Sequence, residues 1–259
     1  MISEPPATLD PTAREALAEL ILGVADDEFV IGFWDSEWTG IAPMLEEDVA
    51  TSSIAQDEIG HARALYELLA DLTGDDADRI AFGREPDAYR HAALLNHARG
   101  DWAFSVARRW LYETADAARL AALATSNWPP LAQLTAKIRR EETYHRLHVD
   151  AWLRRLADAT PDVRERLADA LVRLWPDAQQ VFAPLQTEEE LVRAGFLPEP
   201  LRAIHASWQQ AVRPVLEPIT GTLPPAAPTM DGRTRRTDDF LWLHGQFTMV
   251  ARSEEGATW

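Results

Sequence analysis

The sequence contains no cysteine and has few basic residues for its acidity. Without cysteine the chain cannot supply disulfides, thiolate zinc sites or iron–sulfur clusters, so any metal must be bound by nitrogen and oxygen ligands. The 25 Lys and Arg against 42 Asp and Glu give a formal net charge of −17. This argues against nucleic acid or an anionic membrane as a direct partner, because both require a basic surface. If the substrate is a polyanion, a basic partner chain would have to supply part of the binding surface. Alternatively, the acidity only keeps the protein soluble.

Long apolar runs, strand patterns and nucleotide-binding motifs are also missing. No run approaches the roughly 18 apolar residues of a membrane span, and the N-terminus lacks the apolar segment of a signal peptide, so we expect a cytoplasmic protein. No useful stretch alternates apolar and polar residues, and no glycine-rich dinucleotide fingerprint occurs. The composition, 46% apolar and 26% charged, is typical of a globular protein with one large core.

Apolar periodicity and helix breakers predict four long helices. They are expected at about 10–38, 43–74, 101–126 and 129–159, with a long crossover of short helical pieces at 75–98. The two short loops should make antiparallel neighbours of helices one and two, and of helices three and four. We therefore predict one all-α domain over 1–259, with a core bundle at about 10–160 and a helical C-terminal extension at about 161–259.

The expected extension begins at Thr160-Pro161, a strong helix start, and Pro176 should kink or end that helix. Further helices are predicted at about 188–194, 198–216 and 237–252. A proline-rich loop should separate the last two, through Pro218, Pro224, Pro225 and Pro228.

Two short runs on the second and fourth helices each combine a carboxylate with an imidazole. These are Glu58-Ile59-Gly60-His61 and Glu142-Thr143-Tyr144-His145. A spacing of three residues places both side chains on one helix face, about one turn apart. Two such runs, each with a further Glu from a neighbouring helix, form the ligand set of a dinuclear metal site in a four-helix bundle. One run alone would be weak evidence, because exposed pairs at this spacing are common.

Upstream glutamates lie level with both runs. Glu28 precedes the first loop by 12 residues and Glu58 follows it by 15, which is roughly 18 and 22 Å of helix. Glu113 precedes the second loop by 14 residues and Glu142 follows it by 13, about 21 and 20 Å. Each lone glutamate should therefore meet the run on its neighbouring helix.

The predicted centre holds two metal ions. Its six ligands are Glu28, Glu58, His61, Glu113, Glu142 and His145. The acid that precedes each run can accept a hydrogen bond from the imidazole of the opposite helix, Asp57 from His145 and Glu141 from His61, as metal-bound histidines usually require.

The sequence leaves several assignments open. Asp116 and Glu141 compete with Glu113, and three acids compete with Glu28: Asp27, Asp35 and Glu37. Gly32 should either leave space beside the metals or allow two helices to pack closely. Trp34 and Trp110 are expected in the core, with a substrate pocket as the alternative. Structural roles are expected for the remaining histidines, His91, His97, His148, His205 and His244.

The runs Gln56-Asp57-Glu58-Ile59-Gly60-His61-Ala62-Arg63 and Glu141-Glu142-Thr143-Tyr144-His145 resemble the ferritin-like subunits of bacterial phenylacetyl-CoA 1,2-epoxidase. The resemblance covers most of the chain. The length, the Glu37-Trp38 pair that ends the first helix and the C-terminal stretch closing at Trp259 are similar to the smaller subunit, PaaC. The two runs are similar to the catalytic subunit, PaaA.

This resemblance implies a ferritin-like four-helix bundle in a multicomponent di-iron monooxygenase of aerobic phenylacetate degradation. It implies two iron ions, with manganese or a mixed pair as alternatives. The implied partners are a separate reductase, a paralogous catalytic ferritin-like subunit, and a small accessory subunit. In that family the larger subunit performs the chemistry and the smaller is regarded as structural, yet this chain keeps all six ligand positions.

Three functions are therefore open. The chain is a subunit of the ring-epoxidising complex with a dinuclear iron site, a metal-silent structural subunit of the same complex, or an independent ferritin-like di-metal oxidase.

Overall fold

The computed structural model describes residues 9–253, and every regular element in that range is helical. The helices are α1 (Pro11–Ser36), α2 (Leu45–Thr73), α3 (Ala77–Phe82), α4 (Trp102–Leu123), α5 (Pro129–Ala157), α6 (Pro161–Ala178), α7 (Glu188–Arg193), α8 (Leu201–Thr220) and α9 (Asp238–Thr248). Short 3₁₀ turns lie at Pro86–Ala88, Ala93–Asn96 and Gln179–Phe182. The prediction of an all-α, ferritin-like helical bundle is confirmed.

The four long helices form two packed hairpins. α1 packs along α2 and α4 along α5, while α2 also contacts α5. The predicted crossover contains α3 and two of the 3₁₀ turns, and Asp101 caps α4 by accepting a hydrogen bond from Phe104 N at 2.9 Å. None of the helices within residues 9–253 has the length and apolar content needed to cross a membrane.

At Gly32, α1 approaches α2 so closely that a side chain would not fit. A Cβ atom at this position would lie 2.9 Å from Ile59 Cγ1, 3.0 Å from Glu58 Cβ and 3.1 Å from the Ala55 carbonyl oxygen. Gly32 therefore serves helix packing, the second of the two expected roles. Because Glu58 belongs to the contact, the close packing also fixes where α2 presents that carboxylate.

Replacing Gly32 with Ala is expected to destabilise the fold by about 1–3 kcal/mol, because the added methyl must push the helices apart. Gly60 is the matched control, since a Cβ there meets nothing within 4 Å. Gly60→Ala should stabilise the protein by about 0.5–1 kcal/mol through helix propensity. Urea unfolding measures both values, and equal effects of the two substitutions would contradict the packing role of Gly32.

The prolines of the extension do not end the helices where expected. α6 continues past Pro176 to Ala178, where a 3₁₀ turn begins, so Pro176 does not end the helix at its own position, and a kink there stays a prediction. α8 extends to Thr220 and includes both Pro214 and Pro218, so Pro218 is not part of the loop. Pro214 and Pro218 lie on the exposed face of α8, where water can satisfy the carbonyl groups that lose an N–H partner.

The extension packs against the bundle, with α6 and α8 both contacting α4. Apolar residues of α6, α8 and α9 join the same buried cluster as those of α1 and α4. The single-domain assignment for 1–259, with a bundle boundary near 160, stays a prediction. Residues 1–8 and the closing Trp259 lie outside the described residues.

Candidate metal centre

The middle of the bundle gathers the six side chains that the sequence singles out, and all are buried. They fall into two overlapping groups. The first half consists of Glu28, Glu58, His61 and Glu142. The second half consists of Glu58, Glu113, Glu142 and His145. Within each half, one possible ligand atom from every residue lies within 4.8 Å of the others, and Glu58 and Glu142 are common to both.

Both imidazoles turn Nδ1 towards the carboxylates. His61 Nδ1 lies 3.3 Å from Glu28 Oε2 and 3.2 Å from Glu142 Oε1. His145 Nδ1 lies 3.2 Å from Glu142 Oε1 and 3.2 Å from Glu58 Oε1. A metal ion between these atoms would meet imidazole nitrogen and carboxylate oxygen from different helices.

The other imidazole nitrogens meet acids at the edge of the cluster. His61 Nε2 lies 2.9 Å from Glu141 Oε2, and His145 Nε2 lies 3.2 Å from Asp57 Oδ2. These are the crossed partners that the sequence suggests. A proton held on Nε2 by the outer acid leaves Nδ1 with its lone pair free for a metal.

The carboxylate oxygens themselves indicate that the cluster suits a cation. Glu58 is fully buried and its Oε2 has no hydrogen-bond partner. Glu142 Oε1 lies 3.2 Å from both Nδ1 atoms but makes no hydrogen bond in proper geometry. Buried carboxylate oxygens without donors are costly, and a bound metal ion removes that cost. This donor set therefore fits a metal with a preference for oxygen and imidazole ligands.

Without a metal, the cluster holds protons. Burial, with the nearby Glu58 and Asp116 carboxylates, holds the pKa of Glu28 well above its ordinary value. Burial alone would lower the pKa of His61, but Glu142 and Glu28 raise it to about 12. In the same way, Glu142 and Glu58 raise the pKa of His145 to about 9 against the effect of burial. Both imidazoles are therefore cationic at neutral pH in the metal-free protein.

Arg109 is also part of the cluster, although the sequence patterns do not single it out. Its Nη2 contacts Glu58 Oε1 and lies 2.5 Å from Glu113 Oε1 and 3.2 Å from His145 Nδ1. Burial is the largest influence on the pKa of Glu58 and raises it, but the charge of Arg109 and hydrogen bonds with His145 and Glu28 together hold that pKa below its ordinary value. The available signal was the spacing of four residues between Arg109 and Glu113, which places them on one helix face.

Tyr112 is a second unanticipated neighbour. Its hydroxyl donates a hydrogen bond of 2.8 Å to Glu28 Oε1, which leaves Oε2 facing His61. Tyr112 is buried on α4, and Arg119 Nη2 lies 3.5 Å from the same hydroxyl. A tyrosine on a buried helix face is usually a core residue, so the sequence offered no signal for this contact.

The acids that competed for ligand positions have cationic neighbours of their own. Asp27 pairs with Arg119 and Arg233, and Asp116 also pairs with Arg119. Asp35 pairs with Arg109 at 2.5 Å. For Glu37, the neighbouring cation is Arg99 at 3.9 Å. Glu141 contacts the outer nitrogen of His61, as described above.

The remaining histidines make polar contacts away from the six residues. Their partners are Asn96 for His91, Asp177 for His97, Glu47 for His148, Gln179 for His205 and the Arg84 carbonyl for His244.

Trp34 and Trp110 are both buried, as expected for core residues, and each also lines a pocket, of about 460 Å³ at Trp34 and about 240 Å³ at Trp110. The alternative of a substrate pocket therefore stays open. Trp34 donates to the Leu95 carbonyl and Trp110 to Asp150. Beside Arg109, a cavity of about 30 Å³ is lined by Trp38, Trp102 and Trp152 among others.

Comparison with known proteins places this chain in a family. The family model described as phenylacetic acid catabolic protein matches residues 1–259. The chain is similar to the C subunit of 1,2-phenylacetyl-CoA epoxidase from Escherichia coli K12, at 29% identity over 197 residues, which cover 76% of this chain and 79% of that relative. It is also similar to the A subunit of the same enzyme, at 27% identity over 184 residues, which cover 70% of this chain and 58% of that relative. This chain therefore belongs to the PaaA/PaaC family of phenylacetic acid catabolic proteins.

Proposed function

We propose that this chain is a subunit of a multicomponent monooxygenase that epoxidises the ring of phenylacetyl-CoA in phenylacetate catabolism, and that its six clustered residues form a metal centre. The observation that carries the proposal is the pair of buried imidazoles, each with Nδ1 facing carboxylates and Nε2 beside an outer acid. Iron is the proposed metal, with manganese as the alternative. The six residues would hold the metal, and Glu58 and Glu142 belong to both halves of the cluster.

The side chains around the centre orient its ligands and hold protons, and they carry out no redox chemistry themselves. Glu141 and Asp57 hold the outer imidazole protons, and Tyr112 orients Glu28. Burial of the cluster keeps bulk water from the carboxylates. Bound iron would supply the electrons that activate O₂, which no amino-acid side chain here can do.

The proposed partners follow from what the chain lacks and from its relatives. With neither cysteines nor a dinucleotide motif, it needs a separate reductase as its source of electrons. A paralogous ferritin-like subunit, together with a small accessory subunit, completes the proposed complex, in the cytoplasm.

Reconstitution tests this function. The chain, its larger ferritin-like paralogue and the reductase should together convert phenylacetyl-CoA to its ring epoxide, and the chain should co-purify with the paralogue. Conversion at an unchanged rate when this chain is left out would contradict the proposed role.

The second candidate is a structural subunit that binds no metal. The position of Arg109 among the carboxylates favours it. Its guanidinium already offsets part of the acidic charge. His61→Ala separates the two functions within the reconstituted complex. A metal-dependent role predicts loss of epoxidation with the complex intact, whereas a structural role predicts retained activity.

Metal binding should release protons and strengthen with pH. Because the pKa of His61 is raised to about 12, a metal at its Nδ1 must displace a proton across the neutral range. Affinity for Mn²⁺ should rise about tenfold from pH 7 to 8 for each proton displaced. Calorimetry in buffers with different ionisation heats measures this release. Binding that ignores both pH and buffer would show that the imidazoles are not ligands.

A further inference from the structure

Arg109 places a permanent positive charge among the donors of the second half. Its Nη2 contacts Glu58 and Glu113, and it lies 3.2 Å from His145 Nδ1. A second metal ion would need these same carboxylate oxygens and the same imidazole nitrogen. Arginine stays protonated in proteins and has no lone pair to offer a metal. The guanidinium and a second ion therefore compete for one position.

The other side of the guanidinium is anchored. Arg109 Nη1 donates to Asp35 Oδ2 at 2.5 Å, and both residues are buried, with 7% and 4% of their surface exposed. Moving the guanidinium out of the cluster would cost the buried Asp35 its direct hydrogen-bonded partner and leave the Arg108 guanidinium, 3.8 Å away, as the next cation, which is unfavourable. Asp35 thus holds Arg109 in the second half.

The first half has different neighbours. Glu28 receives a hydrogen bond from the neutral hydroxyl of Tyr112. The charged contacts of Glu28 and Glu142 are imidazoles, which can give up a proton to a metal, unlike a guanidinium. The two halves therefore have similar ligands, but the second half also contains a cation that cannot lose its proton.

We propose that the chain binds one divalent metal ion, in the first half, and that Arg109 is the fixed cation of the second half. This inference rests on the proposed metal centre and narrows it. Glu58 would bind the metal on one side and Arg109 on the other, so the guanidinium also positions a metal ligand. Removing the positive charge at 109 should open the second half to a second ion.

Anaerobic loading with Fe(II), followed by gel filtration and elemental analysis, tests this. The wild-type chain should retain about one iron, and Arg109→Met about two, since methionine fills space without charge. Arg146→Met is the control, because Arg146 pairs with Asp150 on α5 rather than with the cluster. It should retain one iron. Circular dichroism verifies that each variant is folded.

Two further variants decide the matter if Arg109→Met does not fold. Glu28→Gln should lose the ion, because Glu28 belongs to the first half alone, whereas Glu113→Gln should keep it. Two irons in the wild type, or loss in both glutamate variants alike, would overturn this inference and leave the proposed metal centre standing. No iron in the wild type or in Arg109→Met would overturn the metal centre as well.

Discussion

His61→Ala is expected to weaken metal binding by more than about 100-fold, because even the loss of a partner that only orients a ligand costs 10–100-fold in affinity. The substitution removes the one imidazole of the first half. The bundle should remain folded, since its core is built from apolar residues of all four long helices. Equilibrium dialysis against Mn²⁺, with circular dichroism as the folding check, measures the effect.

His148→Ala provides the matched control. His148 lies three residues after His145 on the same helix, but its ring contacts Glu47 at 2.7 Å. Its replacement should leave metal affinity unchanged. Equal loss of metal in both variants would show that the effect is general destabilisation rather than removal of a ligand.

Asp27→Ala is expected to give the largest loss of stability, about 3–5 kcal/mol, because it strands buried arginine charges. Asp27 contacts Arg119 of α4, and it lies 2.9 Å from Nη2 of Arg233, which precedes α9. It also accepts a hydrogen bond of 2.7 Å from Ala92 N in the crossover. One carboxylate thus ties α1 to three distant parts of the chain.

Guanidinium chloride unfolding measures the loss. Glu67→Ala is the comparison, because Glu67 forms an exposed ion pair with Arg63 at 2.9 Å and such pairs contribute little. It should unfold with nearly the wild-type midpoint. A midpoint for Asp27→Ala that matches that of Glu67→Ala would refute the proposed tie.

The bundle was predictable because its helices are long and their breaks are clear. A fixed rise per residue then converts sequence distance from a loop into height, which is why Glu28 and Glu58 could be matched without a structure. The outer acids followed from their position directly before each run. Local periodicity and the fixed rise per residue of a helix were sufficient for that part of the prediction.

Contacts between distant segments were out of reach. Asp27 meets Arg233 across 206 residues, and nothing local in the sequence records that pairing. Arg109 had a local signal, its spacing from Glu113, but the same spacing describes any ordinary helical ion pair. Only the structure shows that its guanidinium reaches Glu58 on a different helix. The positions of the acids could be predicted from the sequence, but the presence of the Arg109 cation among them could not.

The most direct test of the metal centre is anomalous X-ray diffraction at the iron edge from crystals loaded anaerobically with Fe(II). We expect an iron peak enclosed by Glu28, Glu58, His61 and Glu142. A well-loaded crystal whose anomalous map shows no iron among these four residues would contradict the account.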